Sequence, residues 1–299
     1  MQIKQTHLKR PQIDELRIGI IGDLHTYWDD TDLRQFSAAD YDLLFFTGDL
    51  GDAMAGSSLK VAKQISKLSC PTLVMPGNND THDMSALAAE FALQNGLSLL
   101  ADIELGDGSH HETLTLVGYS NHRVTTRLLD ITFIAARPHS MGGNNLAFAE
   151  RLTANFGIHD LEQSSKLLKQ QVDACHTQEI IFLGHNGPLG LGSEPAAMWG
   201  CDFKPDGGDW GDPDLAEAIA YALTQGKNVL GVFAGHMHLR TKGGLHRPWQ
   251  TQQQGIMYVN AAKVPRIFAG VDASYRHHIQ CTISLDGISV SECHLPEYE

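Results

Sequence analysis

Basic charge is what this chain lacks most. Its 299 residues carry 22 Lys and Arg against 35 Asp and Glu, a formal net charge of −13. Generic binding along a phosphate backbone needs the opposite sign, so that class of nucleic-acid binding is not expected. Cysteine is scarce as well. Cys70, Cys175, Cys201, Cys281 and Cys293 lie far apart, and no pair has C-x-x-C spacing. An odd, scattered set argues against a disulfide framework and a thiolate zinc site, and it predicts a reducing compartment. No apolar run approaches the roughly 18 residues of a membrane-spanning helix. The opening MQIKQTHLKRPQIDEL is mixed and polar, unlike a secretory signal. The expectation is a soluble, cytoplasmic chain with no membrane partner.

What is present is a core-forming pattern, with 42% hydrophobic residues and no repeats. Short β-branched runs recur, each ending in a polar or Gly-rich turn: LRIGIIGDLH, YDLLFFTGDLGD, PTLVMPGNND, ETLTLVGYS, EIIFLGHNG and NVLGVFAGHMH. Runs of this kind suit strands buried on both faces. Helical patterns at Ser58–Leu68, Ser85–Gln94, Asp160–Ala174 and Pro213–Gln225 alternate with them, Asp160 and Asp212 standing as N-caps. The alternation predicts an α/β fold with parallel or mixed sheets. Beyond His238 the strands follow one another without helices, and Asp286-Gly287 signals a closing hairpin. The chain reads as one domain, 1–299, with an irregular insertion or cap at about 121–155.

The chemistry sits where the runs end. Asp23 and His25 end the first, Asp49 and Asp52 the second, and Asn78 and Asn79 the third. His185 ends a later run, and His236 and His238 the last. Ligands in open α/β sheets bind at the carboxyl ends of strands. Asp23, Asp49 and Asn78 are spaced by 26 and 29 residues, about one strand–helix–strand unit each. Carboxylate, amide oxygen and imidazole together suit hard-to-borderline divalent metals. Singly, each motif is weak, because a lone D-x-H or G-H is more often a strand-end turn. Five in order are much harder to place by chance.

This ordered set, GDLH, GDLGD, GNND, GHNG and GHMH, resembles the calcineurin-like metallophosphoesterase superfamily. The resemblance runs from about Ile18 to Ala262, and MYVNAAKVPR stands where the superfamily has a segment resembling Y-x-N-P-G-S. It implies a four-layer α/β/β/α sandwich with two divalent ions at the strand ends. By position, Asp23, His25 and His238 would hold one ion. Asn78, His185 and His236 would hold the other, and Asp49 would bridge them. Manganese is the first expectation, with iron, zinc and nickel as alternatives. Asp52 would support a ligand or a bound water. Two such ions clamp phosphoryl oxygens and activate a water for in-line attack.

The chain departs from that pattern at Asn79, where the superfamily usually has His. An amide donates hydrogen bonds but delivers no proton near neutral pH. Leaving groups of low pKa, aryl or diphosphate-type, and diesters are therefore favoured over alkyl monoesters. The superfamily's protein phosphatases carry Arg after the position of Asp52, and Ala53 stands here. His122 and Arg123 follow a predicted strand and are candidate phosphate contacts. Arg137, His139 and Ser140 are weaker candidates for a pocket lining, as are Trp199 and Trp210 for an aromatic wall. The sequence thus predicts a two-metal hydrolase for a small phosphorylated substrate. The alternatives are a monoester phosphatase for a nucleotide or protein, and a non-catalytic scaffold of the same fold.

Overall fold

The computed structural model describes residues 4–92, 114–271 and 273–296. The first sheet joins β2 (Leu16–Ile21), β3 (Leu43–Phe46), β4 (Thr72–Val74) and β5 (Leu114–Leu116) as parallel neighbours. On its far side, β13 (Ser274–Ser284) pairs antiparallel with β2, and β12 (Ile267–Ala269) and β14 (Gly287–Pro296) pair with β13. The second sheet runs β1 (Lys4–Arg10), β6 (Ser120–Thr126), β7 (Asp130–Ala135), β8 (Glu179–Leu183), β9 (Asn228–Ala234), β11 (Ile256–Asn260) and β10 (Gln250–Gln253). Its central strands β7, β8 and β9 are parallel.

Alternation along these apolar strands explains the layers. Ile18, Ile20, Leu43, Phe45 and Leu73 meet Phe133, Ile181, Leu183 and Phe233 in one cluster, so the two sheets pack face to face. The intervening residues point outward. Leu44, Phe46 and Val74 receive Phe36 of α1 (Asp30–Ala38), Val61 and Ile65 of α2 (Ser57–Ile65) and Phe91 of α3 (residues 84–92). Ile180, Phe182 and Val232 receive Leu152 of α4 (Ala149–Phe156), Leu168 of α5 (Leu161–Asp173) and Ala218 of α6 (Pro213–Thr224). Helices on each outer face of two stacked sheets make an α/β/β/α sandwich.

Three local expectations need correction. The run from Glu112 to Ser120 is two strands: β5 in one sheet and the start of β6 in the other, with Gly118 at φ +155° between them. Residues 121–135 are no insertion, because β6 and β7 lie within the second sheet. Strand β6 escaped hydrophobic patterning because three of its four buried positions, Ser120, Asn121 and His122, are polar and hydrogen-bonded, with only Val124 apolar. In the hairpin, Ser284 pairs directly with Gly287, so the two-residue turn is Leu285-Asp286 and Gly287 opens β14 at φ +121°. Of the predicted caps, Asp160 accepts from the Gln163 amide, whereas the Asp212 side chain is turned to other partners. Part of the predicted helix Ser85–Gln94 lies outside the described residues.

Candidate metal centre

The strands that diverge from the two sheets deliver their donors to one end of the sandwich. Asp23 and His25 follow β2, Asp49 follows β3, and Asn78 follows β4. His185 follows β8 of the second sheet, and His236 and His238 follow β9. His25, Asp49, Asn78, His236 and His238 line a cleft of about 250 Å³, while Asp23 and His185 are fully buried behind it. Asp23, His25 and His238 form one group whose donor atoms lie within 4.8 Å of one another, and Asp49, His185 and His236 form another. The Asn78 Oδ1 stands 3.0 Å from the His185 Nε2.

The backbone is bent to achieve this. His25 (φ +42°), Asp49 (φ +48°) and His236 (φ +66°) all occupy the left-handed region, which non-glycine residues adopt at some cost and which clusters at functional sites. Two glycines make room. A Cβ on Gly77 would fall 2.1 Å from Asp49 Oδ1, and one on Gly235 would fall 2.3 Å from Asp23 Oδ1.

Supporting hydrogen bonds aim the donors. The His185 Nδ1 donates to the Thr47 carbonyl at 2.8 Å, which leaves Nε2 as the nitrogen turned toward the other candidate donors. Asp23 accepts from the Thr47 hydroxyl and the His236 amide. Asn260 fastens the end of β9, donating to the Met237 carbonyl at 2.8 Å. Asp80, fully buried, accepts from the amides of Gly77 and Leu50 and the hydroxyl of Ser58, so it ties the two ligand-bearing loops together. Burial, with Asp49 nearby, pushes its pKa up to about 6. Behind His185, buried Arg137 bridges Asp212 and Asp214, and Asp212 also accepts from Ser140 and from Asn186, the neighbour of His185.

The charges fit a cation. Burial opposes ionisation of Asp23, yet the surrounding imidazoles, His185 foremost, hold its carboxyl below the usual range. Burial drives His236 down to about 3, which leaves a neutral ring with a free lone pair. His185 shows the converse: against its burial, Asp49 and Asp23 draw positive charge onto it. His25 Nε2 and His238 Nε2 face each other at 3.0 Å, two ring nitrogens converging on one point. Carboxylates converging with neutral imidazoles are the donor set of a divalent ion.

Other predicted residues lie elsewhere. The Asp52 carboxylate accepts from the Met54 amide and closes its own turn instead of supporting the ligands. Arg123 forks onto Asp130 at 2.7 and 2.6 Å on the surface of the second sheet. His122 is buried between Thr6 and Ser120, and neither His122 nor Arg123 lines the cleft. Arg137, His139 and Ser140 are buried bracing, not pocket wall, and Trp199 is buried against Gly187. Asn79 does reach the cleft: its amide N–H donates to Asp49 Oδ1 at 2.8 Å and its Nδ2 to Oδ2 at 2.7 Å. Sequence reasoning missed Asp202, Phe203, Arg240, Lys242 and Arg247, which complete the lining. Arg240 and Lys242 follow GHMH almost directly, and that adjacency was the available signal.

Two sheets delivering Asp, Asn and His donors to one end of the sandwich define an α/β protein with two adjoining groups that could each hold a metal ion. The family model of the calcineurin-like phosphoesterases matches residues 16–240, and the chain belongs to that family, whose members hydrolyse phosphoester bonds with divalent metals. No curated protein matches it. Among solved structures, one aligns at a TM-score of 0.53 and 11% identity, covering 94% of this chain and 99% of its own. A dimetal phosphatase from Danio rerio aligns at a TM-score of 0.50 and 12% identity, covering 96% and 100%. At such identities the likeness is one of fold.

Proposed function

We propose that this phosphoesterase cleaves phosphodiesters or activated phosphoesters at a two-metal centre. Asp23, His25 and His238 hold one ion, Asn78, His185 and His236 the other, and Asp49 bridges them. The observation that carries the reading is the convergence of these seven side chains from two sheets on one cleft, with His185 and Asp23 already oriented by Thr47. Manganese is the first choice for a set of carboxylate, amide oxygen and imidazole, with iron, zinc and nickel as alternatives. The dimetal phosphatase among the fold relatives supports two ions rather than one.

When bound, the two ions supply Lewis acidity for the phosphoryl oxygens and lower the pKa of a coordinated water. The chain does the rest. Thr47 and the His236 amide hold Asp23 in place, and Asn79 holds Asp49. Asn79 also presents an amide at the cleft as a hydrogen-bond donor to a phosphoryl oxygen. It delivers no proton to a departing alkoxide, and this disfavours alkyl monoesters. Scattered free cysteines, four of them buried, support a reducing, cytoplasmic setting.

The test is turnover of bis-p-nitrophenyl phosphate and p-nitrophenyl phosphate by manganese-loaded protein, with Asp49→Ala as control. The reading expects the diester to be preferred, about two metals per chain, and loss of both in Asp49→Ala. Turnover that survives the substitution would rule out this centre.

A further inference from the structure

Of the three cations that line the cleft outside the metal centre, Arg247 is paired with Asp202 and two are not. Arg240 and Lys242 line it beside His238 and Asn79, on the loop that follows β9. Among the described residues neither has a carboxylate partner. The one acid on their side, Asp202, is engaged: Oδ2 accepts from the Lys242 amide at 2.7 Å, and Oδ1 stands 3.3 Å from buried Arg247. Arg247 also donates to the carbonyls of His238 and Gly200. The loop that presents Arg240 and Lys242 is thus tied to the end of β9 and to the 200–203 segment. The Lys242 Nζ lies 5.7 Å from the ring of Phe203, which forms the cleft's apolar lip. In a protein of net charge −13, two unpaired cations at one cleft mark where an anion is expected.

We propose that Arg240 and Lys242 hold a second phosphate of the substrate, so that the bond broken at the metal centre joins two phosphates. The inference rests on the two-metal reading and narrows its substrate to diphosphate diesters. Asn79 points the same way from different chemistry. A phosphate leaves as an anion without being protonated, so a site with an amide at that position is matched to it. Cleft size agrees: about 250 Å³ falls below the roughly 300–1,000 Å³ of sites that enclose a whole ligand. It takes a diphosphate head and leaves the organic groups outside. Water adds to the attacked phosphorus, and the bond from that phosphorus to the bridging oxygen breaks. The leaving phosphate takes the electron pair, and the two protons of water pass to solvent as two monoesters form.

The experiment compares kcat and KM for P1,P2-diphenyl diphosphate and bis-p-nitrophenyl phosphate in manganese-loaded wild type, Arg240→Ala, Lys242→Gln and the double variant. Arg240 and Lys242 are both exposed, so these changes leave the core intact. Wild type is expected to favour the diphosphate in kcat/KM. Each single variant should lose at least tenfold more kcat/KM on the diphosphate than on the monophosphate diester, chiefly through KM, and Arg240→Lys should recover part of it. Inorganic pyrophosphate should inhibit wild type more strongly than orthophosphate, and the double variant should lose that difference. Equal losses on both substrates, or no loss on the diphosphate, would overturn the inference while leaving the two-metal reading standing. Failure of wild type to turn over either substrate would overturn both.

Discussion

Asn79 grips both oxygens of Asp49, donating from its main-chain amide at 2.8 Å and from its side-chain amide at 2.7 Å. On the two-metal reading, Asn79 therefore orients the carboxylate that would lie between the two ions. Removing such a support typically weakens metal affinity or activity about 10–100-fold. Asn79→Ala is expected to show that loss in manganese titrations while keeping the wild-type melting temperature within a few degrees. Asn79→His restores a proton donor. It should raise turnover of β-glycerophosphate relative to bis-p-nitrophenyl phosphate at least tenfold, measured at a single pH near neutrality.

Asp80 makes a separate prediction. Asp80→Ala leaves the buried amides of Gly77 and Leu50 and the Ser58 hydroxyl without their acceptor. Each stranded donor costs about 1–3 kcal/mol. Urea unfolding of the metal-free protein should show a loss of about 3 kcal/mol or more, and Ser58→Ala a loss nearer 1 kcal/mol.

The Arg137 bridge predicts a similar loss for another reason. Arg137→Leu leaves Asp212 and Asp214 buried without their cation. Breaking one side of such a pair costs about 3–5 kcal/mol. Adding Asp212→Asn and Asp214→Asn should return part of that stability, read from the same urea midpoints.

His122 gives the acid response. Burial lowers its pKa to about 3, against 6.5 for the free side chain, so the unfolded chain takes up a proton that the folded one refuses. The stability this contributes is complete above pH 6.5 and is lost as pH falls toward 3. The slope due to this residue reaches about 1.4 kcal/mol per pH unit. His122→Gln should flatten the fall in unfolding free energy between pH 6.5 and 4 by up to that amount, although it lowers stability at pH 7.

The layers and the gathering of the candidate ligands at one end of the sheets were legible because both follow from strand patterning. Apolar runs marked the buried strands, and Asp, Asn and His at their ends marked the site. Asp52 misled because a carboxylate in a G-D-x-x-D turn looks the same whether it supports a ligand or the Met54 amide. Arg123 misled because the sequence does not reveal that Asp130, diagonally across the β6–β7 pair, comes within reach of its guanidinium. Strand β6 was invisible because hydrogen-bonded polar residues fill three of its four buried positions, leaving Val124 as the only apolar one. Phe203 reaches the cleft from a loop whose position depends on Arg247 and Asp202, contacts that no local pattern encodes.

The pairing of β2 with β13 bears on how the chain is made. Leu16 sits opposite Ile283, so the strand leading to Asp23 borders one that emerges about 260 residues later. At roughly 5–20 residues per second on the ribosome, that interval is about 15–50 s. Throughout it, one edge of β2 has no native strand beside it, and an open apolar edge is a template for wrong pairing. The candidate ligands that follow β2, β3 and β4 are thus synthesised well before β13, the strand that covers this edge of β2.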